Sequence, residues 1–161
     1  MKKYELTEET FTVFGKTLYR IRAVRDFGSV KTGEFGGYIE KEENLSHFGD
    51  AKVSGDAKVS GDARVSGNAR VSGNAWVYGN AEVFNTRHFF VQGPIGSRDG
   101  YVTFYRTKDD TVEVRCGCFS GSLQEFVNQV EETHGGSRYE KEYKLAAELA
   151  KVCIRLEGES R

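Results

Sequence analysis

Proline is almost missing from this chain, with one residue in 161 against 19 glycines. That balance excludes a proline-rich linker and suits a repetitive β architecture better than disorder. No apolar run approaches the ~20 residues of a membrane span. The opening MKKYELTEETF lacks the apolar stretch of a signal peptide, so no membrane partner is expected. The three cysteines, Cys116, Cys118 and Cys153, are too few and too odd for a disulfide framework. They point to free thiols in a reducing compartment, and the expected location is the cytoplasm. Neither sign of charge dominates, with 23 basic and 24 acidic residues and a formal net charge of −1. This argues against holding bulk nucleic acid by charge alone.

What is abundant is order. Six hexapeptides run without a gap over residues 49–84: GDAKVS, GDAKVS, GDARVS, GNARVS, GNAWVY and GNAEVF. A unit this short cannot bury its apolar side chains alone and must stack on its neighbours. Read from valine, V-S-G-[DN]-A-[KR], it resembles the hexapeptide pattern of left-handed parallel β-helices, in which three hexads make a coil of 18 residues. Valine and alanine would point inward, with Gly-Asp or Gly-Asn at the corners where positive φ is tolerated.

An 18-residue coil places residues 18 apart over one another, about 4.8 Å away. Asp50, Asp56 and Asp62 then lie over Asn68, Asn74 and Asn80, so carboxylates do not stack on carboxylates. Arg64 lies over Glu82 as an ion pair, and Lys58 over Trp76 as a cation–π contact. Lys52 over Arg70 is unfavourable. The same register, continued backwards over 31–48, puts Phe35, Ile39 and Leu45 inward, with Lys41 and His47 where valine belongs.

Three regions follow: a β-rich N-terminal cap (1–30), the repeat segment (31–86) and a C-terminal module (87–161). In the cap, Phe11–Phe14 and Thr17–Ile21 flank a hairpin turn at Gly15-Lys16. In the module, strands are expected at His88–Gln92, Tyr101–Arg106 and Thr111–Phe119. Ser122 with Glu125 begins a helix through a capping box, and Leu123, Phe126, Val127 and Val130 form its packed stripe. Ser137 with Glu140 begins a second helix, with Leu145, Leu149, Val152 and Leu156 as its buried stripe. The expected class is mainly β: a left-handed parallel β-helix followed by a small α+β domain of three strands and two helices. The helices should cover one sheet face and leave the other free.

FGKTLYRIRAVRDFG (14–28) and GGYIEKEENLS (36–46) resemble the N-terminal cap of hexapeptide-repeat proteins encoded by phages and prophages. GPIGSR (93–98), TFYR (103–106), CGCF (116–119) and ETHG (132–135) resemble a small module that recurs behind such repeats. The resemblance implies a phage-type protein acting in the host cytoplasm, without pointing to one chemistry.

Three features could carry function. Gly93–Gly100 is a glycine-rich bend whose amides, with Gly96, Ser97 and Arg98 at its centre, could hold an anion. The bland reading is a strand connector, since the bend lacks the P-loop pattern. Tyr101, Thr103 and Tyr105 share one strand face, with Arg115 on the next strand, and could stack and hydrogen-bond a base or sugar. The bland reading is a half-buried face. Cys116, Cys118 and His134 are three groups with C-x-C spacing, poor for a metal and without an orienting acid for catalysis. Cysteines packing as small hydrophobes, with Cys118 and His134 lining a pocket, fit better. His47 reads as a cap residue, and Trp76, Tyr78 and Phe84 as an outward cluster that packs on the C-terminal module or another subunit.

The leading expectation is a non-enzymatic protein that sequesters a small anionic, nucleotide-derived host immune signal, without cofactor or metal. The alternatives are a structural assembly protein and a hexapeptide-repeat acyltransferase. The last lacks support in the residues, because the six uninterrupted hexads contain no histidine. A homo-oligomer, such as a trimer, is the expected assembly.

Overall fold

Two runs rich in threonine, aromatic and aliphatic residues make an antiparallel hairpin of β1 (Tyr4–Val13) and β2 (Lys16–Ala23), with a register shift between Leu6 and Thr10. In this computed structural model, which describes residues 1–157, its turn is Phe14-Gly15 rather than Gly15-Lys16. Both turn residues have positive φ, 49° and 76°. That is the geometry a two-residue hairpin needs to match strand twist. β3 (Phe35–Ile39) adds antiparallel to β2.

The hexads supply six strands of two residues each: β4 (Lys52–Val53), β5 (Lys58–Val59), β6 (Arg64–Val65), β7 (Arg70–Val71), β8 (Trp76–Val77) and β9 (Glu82–Val83). They pair in parallel at a spacing of 18, giving Lys52↔Arg70, Lys58↔Trp76 and Arg64↔Glu82. The six alanines and six valines of the hexads are all at most 2% exposed. At Gly49 (φ +74°), a Cβ would lie 2.9 Å from the carbonyl oxygen of Gly67, so the stacking distance itself requires glycine.

These strands are divided among three sheets. One is mixed and five-stranded, in the order β1-β2-β3-β5-β8; the others are the pairs β4-β7 and β6-β9. The expected mainly β class with a left-handed parallel β-helix as trunk is therefore corrected. The described residues form a mixed α+β arrangement of several sheets and two helices. The repeat strands are short and dispersed, the largest repeat-bearing sheet is completed by an antiparallel hairpin, and among the described residues no continuous solenoid is evident. The 31–48 segment also leaves the expected register: Tyr38 pairs with Lys58 and Leu45 bridges Val65, both 20 apart. Ile39 and Leu45 remain buried, but Phe35 is 59% exposed. His47 takes a structural place, stacked on Tyr4 at 4.1 Å between ring centres and accepting the Lys3 amide on Nδ1.

Two stacking expectations also change. The Lys58 ammonium sits over the ring of Phe11, at 4.5 Å, instead of over Trp76. The carboxylate of Glu82 faces Arg106, at 3.6 Å, instead of Arg64.

The C-terminal sheet has four antiparallel strands, not three: β10 (Phe89–Ile95), β11 (Gly100–Arg106), β12 (Val112–Cys116) and β13 (Phe119–Ser122). The single strand expected over 111–119 is broken by a two-residue turn, Gly117-Cys118, with Gly117 at φ +58°. α1 (Leu123–His134) starts on the expected capping box of Ser122 and Glu125 and buries Phe126 and Val130. α2 (Arg138–Cys153) buries Tyr143, Ala146, Ala147 and Ala150, whereas Leu145 and Val152 are 70% and 68% exposed. Both stripes have helical spacing, and the alanine one wins because it lets the helix approach the sheet closely. Residues 158–161 of the expected C-terminal module lie outside the described residues.

The helices cover one sheet face. The other is not free, because the repeats cover it: the hydroxyl of Thr103 accepts the Trp76 amide at 2.9 Å, and Tyr105 belongs to the alanine–valine core. Arg106, 3% exposed, donates to the Glu82 carbonyl at 2.9 Å and to Asp110 at 3.0 Å. Among the described residues, no helix is long and apolar enough to cross a membrane.

Removing two methyl groups from the alanine–valine core should cost about 2 kcal/mol, counting transfer and residual cavity. Val59→Ala should therefore lower the midpoint of urea unfolding clearly. Phe48→Ala, at a position 82% exposed, should leave it nearly unchanged.

Candidate functional site

The turn between β10 and β11, the β12–β13 hairpin and the facing sides of α1 and α2 enclose a cavity of about 550 Å³. Ser97 and Arg98 come from the turn, Tyr101 from the start of β11, and Cys116 and Cys118 from the hairpin. α1 contributes Phe126, Gln129, Thr133 and His134, and α2 contributes Tyr143. The size and the mix of aromatic walls with a few polar groups are those of a small-molecule site.

Local packing fixes the walls. Tyr143 meets Phe126 edge-on, with ring centres 5.8 Å apart, and His134 at 5.5 Å. Burial pushes the Tyr143 phenol up to about 12, while the charge of Arg98 pulls it the other way. Gly96 lies against this ring, at φ +82°, and a Cβ there would overlap the Tyr143 hydroxyl. Burial also pushes the Cys116 thiol above its ordinary value, a shift opposed by its hydrogen bond with Tyr143. Cys116 is thus held protonated and is a poor nucleophile at neutral pH. Cys118, in the turn itself, is exposed.

Of the residues singled out in the sequence, Ser97, Arg98, Tyr101, Cys118 and His134 share this cavity. Gly96 backs it through Tyr143. Its amide is not available to an anion, because it donates to the Glu142 carboxylate at 2.7 Å. The positive charge of the bend is therefore that of Arg98, which is exposed and has no carboxylate partner among the described residues.

Thr103, Tyr105 and Arg115 lie elsewhere, on the face against the repeats. The Tyr105 hydroxyl is buried beside the Glu113 carboxylate, and burial first, then that carboxylate, raises its pKa. Burial in turn pushes the Glu113 carboxyl up. The Arg115 guanidinium, 7% exposed for the residue, stacks between Trp76 at 3.9 Å and Tyr78 at 4.3 Å, with Phe14 over it at 5.4 Å. These three residues join the sheet to the repeats; they do not form an open platform for a base.

Tyr143, Phe126, Phe119 and Gln129 are cavity residues that sequence reasoning missed as such. The available signal was the second helical stripe, Tyr139, Tyr143, Ala146 and Ala150, which points α2 the other way. Cys116, Cys118 and His134 line one cavity, but among the described residues no three His, Cys, Asp or Glu side chains group closely enough to hold a metal ion. No protein-family model matches this chain, and no curated protein matches it significantly.

Arg115→Ala should cost about 1–2 kcal/mol, because it removes a partly desolvated cation–π stack and its packing. The measurement is urea unfolding. Trp76→Ala made together with it should cost less than the sum of the two single changes, as expected for one shared contact.

Proposed function

We propose that the chain is a non-enzymatic binding protein for a small anionic ligand carrying a flat ring. A nucleotide-derived molecule is the chemical class that fits this description. The observation that carries the reading is the juxtaposition, in one cavity of about 550 Å³, of aromatic walls and an unpaired guanidinium at the lip. The ring would lie among Phe126, Tyr143 and His134, and the anionic group would meet Arg98 and the Ser97 hydroxyl. Holding rather than converting the ligand agrees with a partly buried Cys116 thiol whose pKa is raised by burial. The phage-type resemblance adds the use: sequestering a host immune signal, which needs affinity and abundance but no reactive group.

A second reading, assembly into a homo-oligomer, has one observation of its own. Leu145, Leu149 and Val152 form an apolar stripe on the outer side of α2, all exposed. Light scattering on the intact chain tests it. An oligomer dissociated by Leu149→Glu supports this reading, and a monomer at high protein concentration removes it.

Thermal unfolding in the presence of cyclic dinucleotides, cyclic ADP-ribose isomers and acyl-CoA tests the binding reading. A ligand at 1,000 times its Kd stabilises by about 4 kcal/mol, which is several degrees. Arg98→Ala should abolish the shift and leave the unliganded melting temperature unchanged, because the side chain is exposed. Bound ligand should also slow modification of Cys118 by a thiol reagent. Unchanged melting with every anionic nucleotide tried would sink the proposal.

A further inference from the structure

A second cavity, of about 460 Å³, opens on the repeat segment and differs from the first in its lining. It lies between the Gly28-Ser29 turn, the β4–β7 pair and the connector over residues 85–87. No aromatic side chain lines it, and three cations do: Lys52, Arg70 and Arg87.

The pairing of β4 with β7 sets Lys52 directly beside Arg70. Neighbouring strands are about 4.8 Å apart, and like charges in register across them repel. Neither repeat side chain finds a carboxylate among the described residues. Lys52 donates to the Ser29 hydroxyl at 3.2 Å instead. Arg87 is delivered to the same cleft by a backbone fixed at both ends. Its amide donates to Asn85 Oδ1 at 2.7 Å, and its carbonyl accepts the Arg155 amide at 2.9 Å.

One acid, Asp50, is on the lining, and it has a competing cation. The buried ammonium of Lys3 donates to the carbonyls on either side of Asp50, at 3.2 Å to Gly49 and 2.8 Å to Ala51. It lies within electrostatic reach of the Asp50 carboxylate. The cleft therefore keeps an excess of positive charge. Asn68 and Thr86 add side chains able to hydrogen-bond phosphate oxygens.

We propose that this cleft binds a chain of linked phosphates, with Lys52, Arg70 and Arg87 each meeting a phosphate group. Three cations without a stacking ring recognise the charged chain and not a base. The phosphates could belong to free polyphosphate or to a nucleoside triphosphate. The site is independent of the aromatic cavity and does not rest on the function proposed for it.

Calorimetric titration of the full chain at low salt, with inorganic tripolyphosphate in one arm and ATP in the other, tests this. Tripolyphosphate should bind, and raising the salt from 50 to 200 mM should weaken it by at least tenfold, as phosphate contacts are screened. Arg70→Gln and Arg87→Gln should each weaken it at least fivefold. Both side chains are exposed, so the variants should keep the wild-type circular dichroism spectrum. Arg64→Gln, at the equivalent hexad position on another side, should bind as the wild type does. Equal affinity in the two arms assigns recognition to the phosphate chain. Tighter binding of ATP, still lost in Arg70→Gln, assigns the source to a nucleotide. Absence of tripolyphosphate binding at low salt overturns the proposal, as does binding that survives both substitutions.

Discussion

Buried guanidinium groups commit the C-terminal sheet to the repeats, and Arg115 is the one held by aromatic rings alone. Arg115 lies against Trp76 and Tyr78, side chains at hexad positions that the first four hexads fill with lysine or arginine and with serine. A buried arginine without a carboxylate is costly unless aromatic faces replace its hydration. The fifth hexad provides both faces. Thr103, Tyr105 and Arg106 extend the seam with the Trp76 amide, the alanine–valine core and the Glu82 carbonyl. Once that face is taken, the helices must cover the opposite one, and the aromatic cavity opens on their side. The position of the aromatic cavity is thus a consequence of the seam.

How much of this was legible in the sequence depends on the range of the interactions involved. The alternation of alanine and valine and the pairing of residues 18 apart are set by neighbours in a strict period, and the hexads display both. The period says nothing of how the strands are shared out. β5 and β8 join the hairpin sheet, and the other repeat strands form separate pairs. Before the period begins, the offset becomes 20, and Phe35 turns outward. The capping box of α1 was readable because Ser122 and Glu125 are three residues apart.

α2 shows where local reading fails. Its sequence carries two stripes of helical spacing, and the one with larger apolar side chains, Leu145-Leu149-Val152, is the one left outside. Alanine buries little surface by itself. Three buried alanines, Ala146, Ala147 and Ala150, let the helix axis come near enough for Tyr143 to reach Phe126 and Gly96. Packing distance is a property of the pair of elements, so no scale applied to the helix alone ranks the stripes correctly. The same error hid Tyr143 from the candidate site. Tyr101, Thr103 and Tyr105 show it again, since their shared face was visible but its occupant was not.

The two cavities divide the chemistry of anion recognition between them. At the lip of the first, a single guanidinium without a carboxylate partner stands beside aromatic rings, and the nearest amide of the bend is already taken by Glu142. Affinity there must come from burying a ring together with one charge contact, so that losing either abolishes binding. In the second, three cations line a polar cleft in which the strand register enforces repulsion between Lys52 and Arg70. A bound anion relieves that repulsion as well as being attracted, so its binding should depend far more steeply on salt than binding in the first cavity. The near balance of 23 basic and 24 acidic residues conceals this, because net charge averages over a surface whose cations are placed locally.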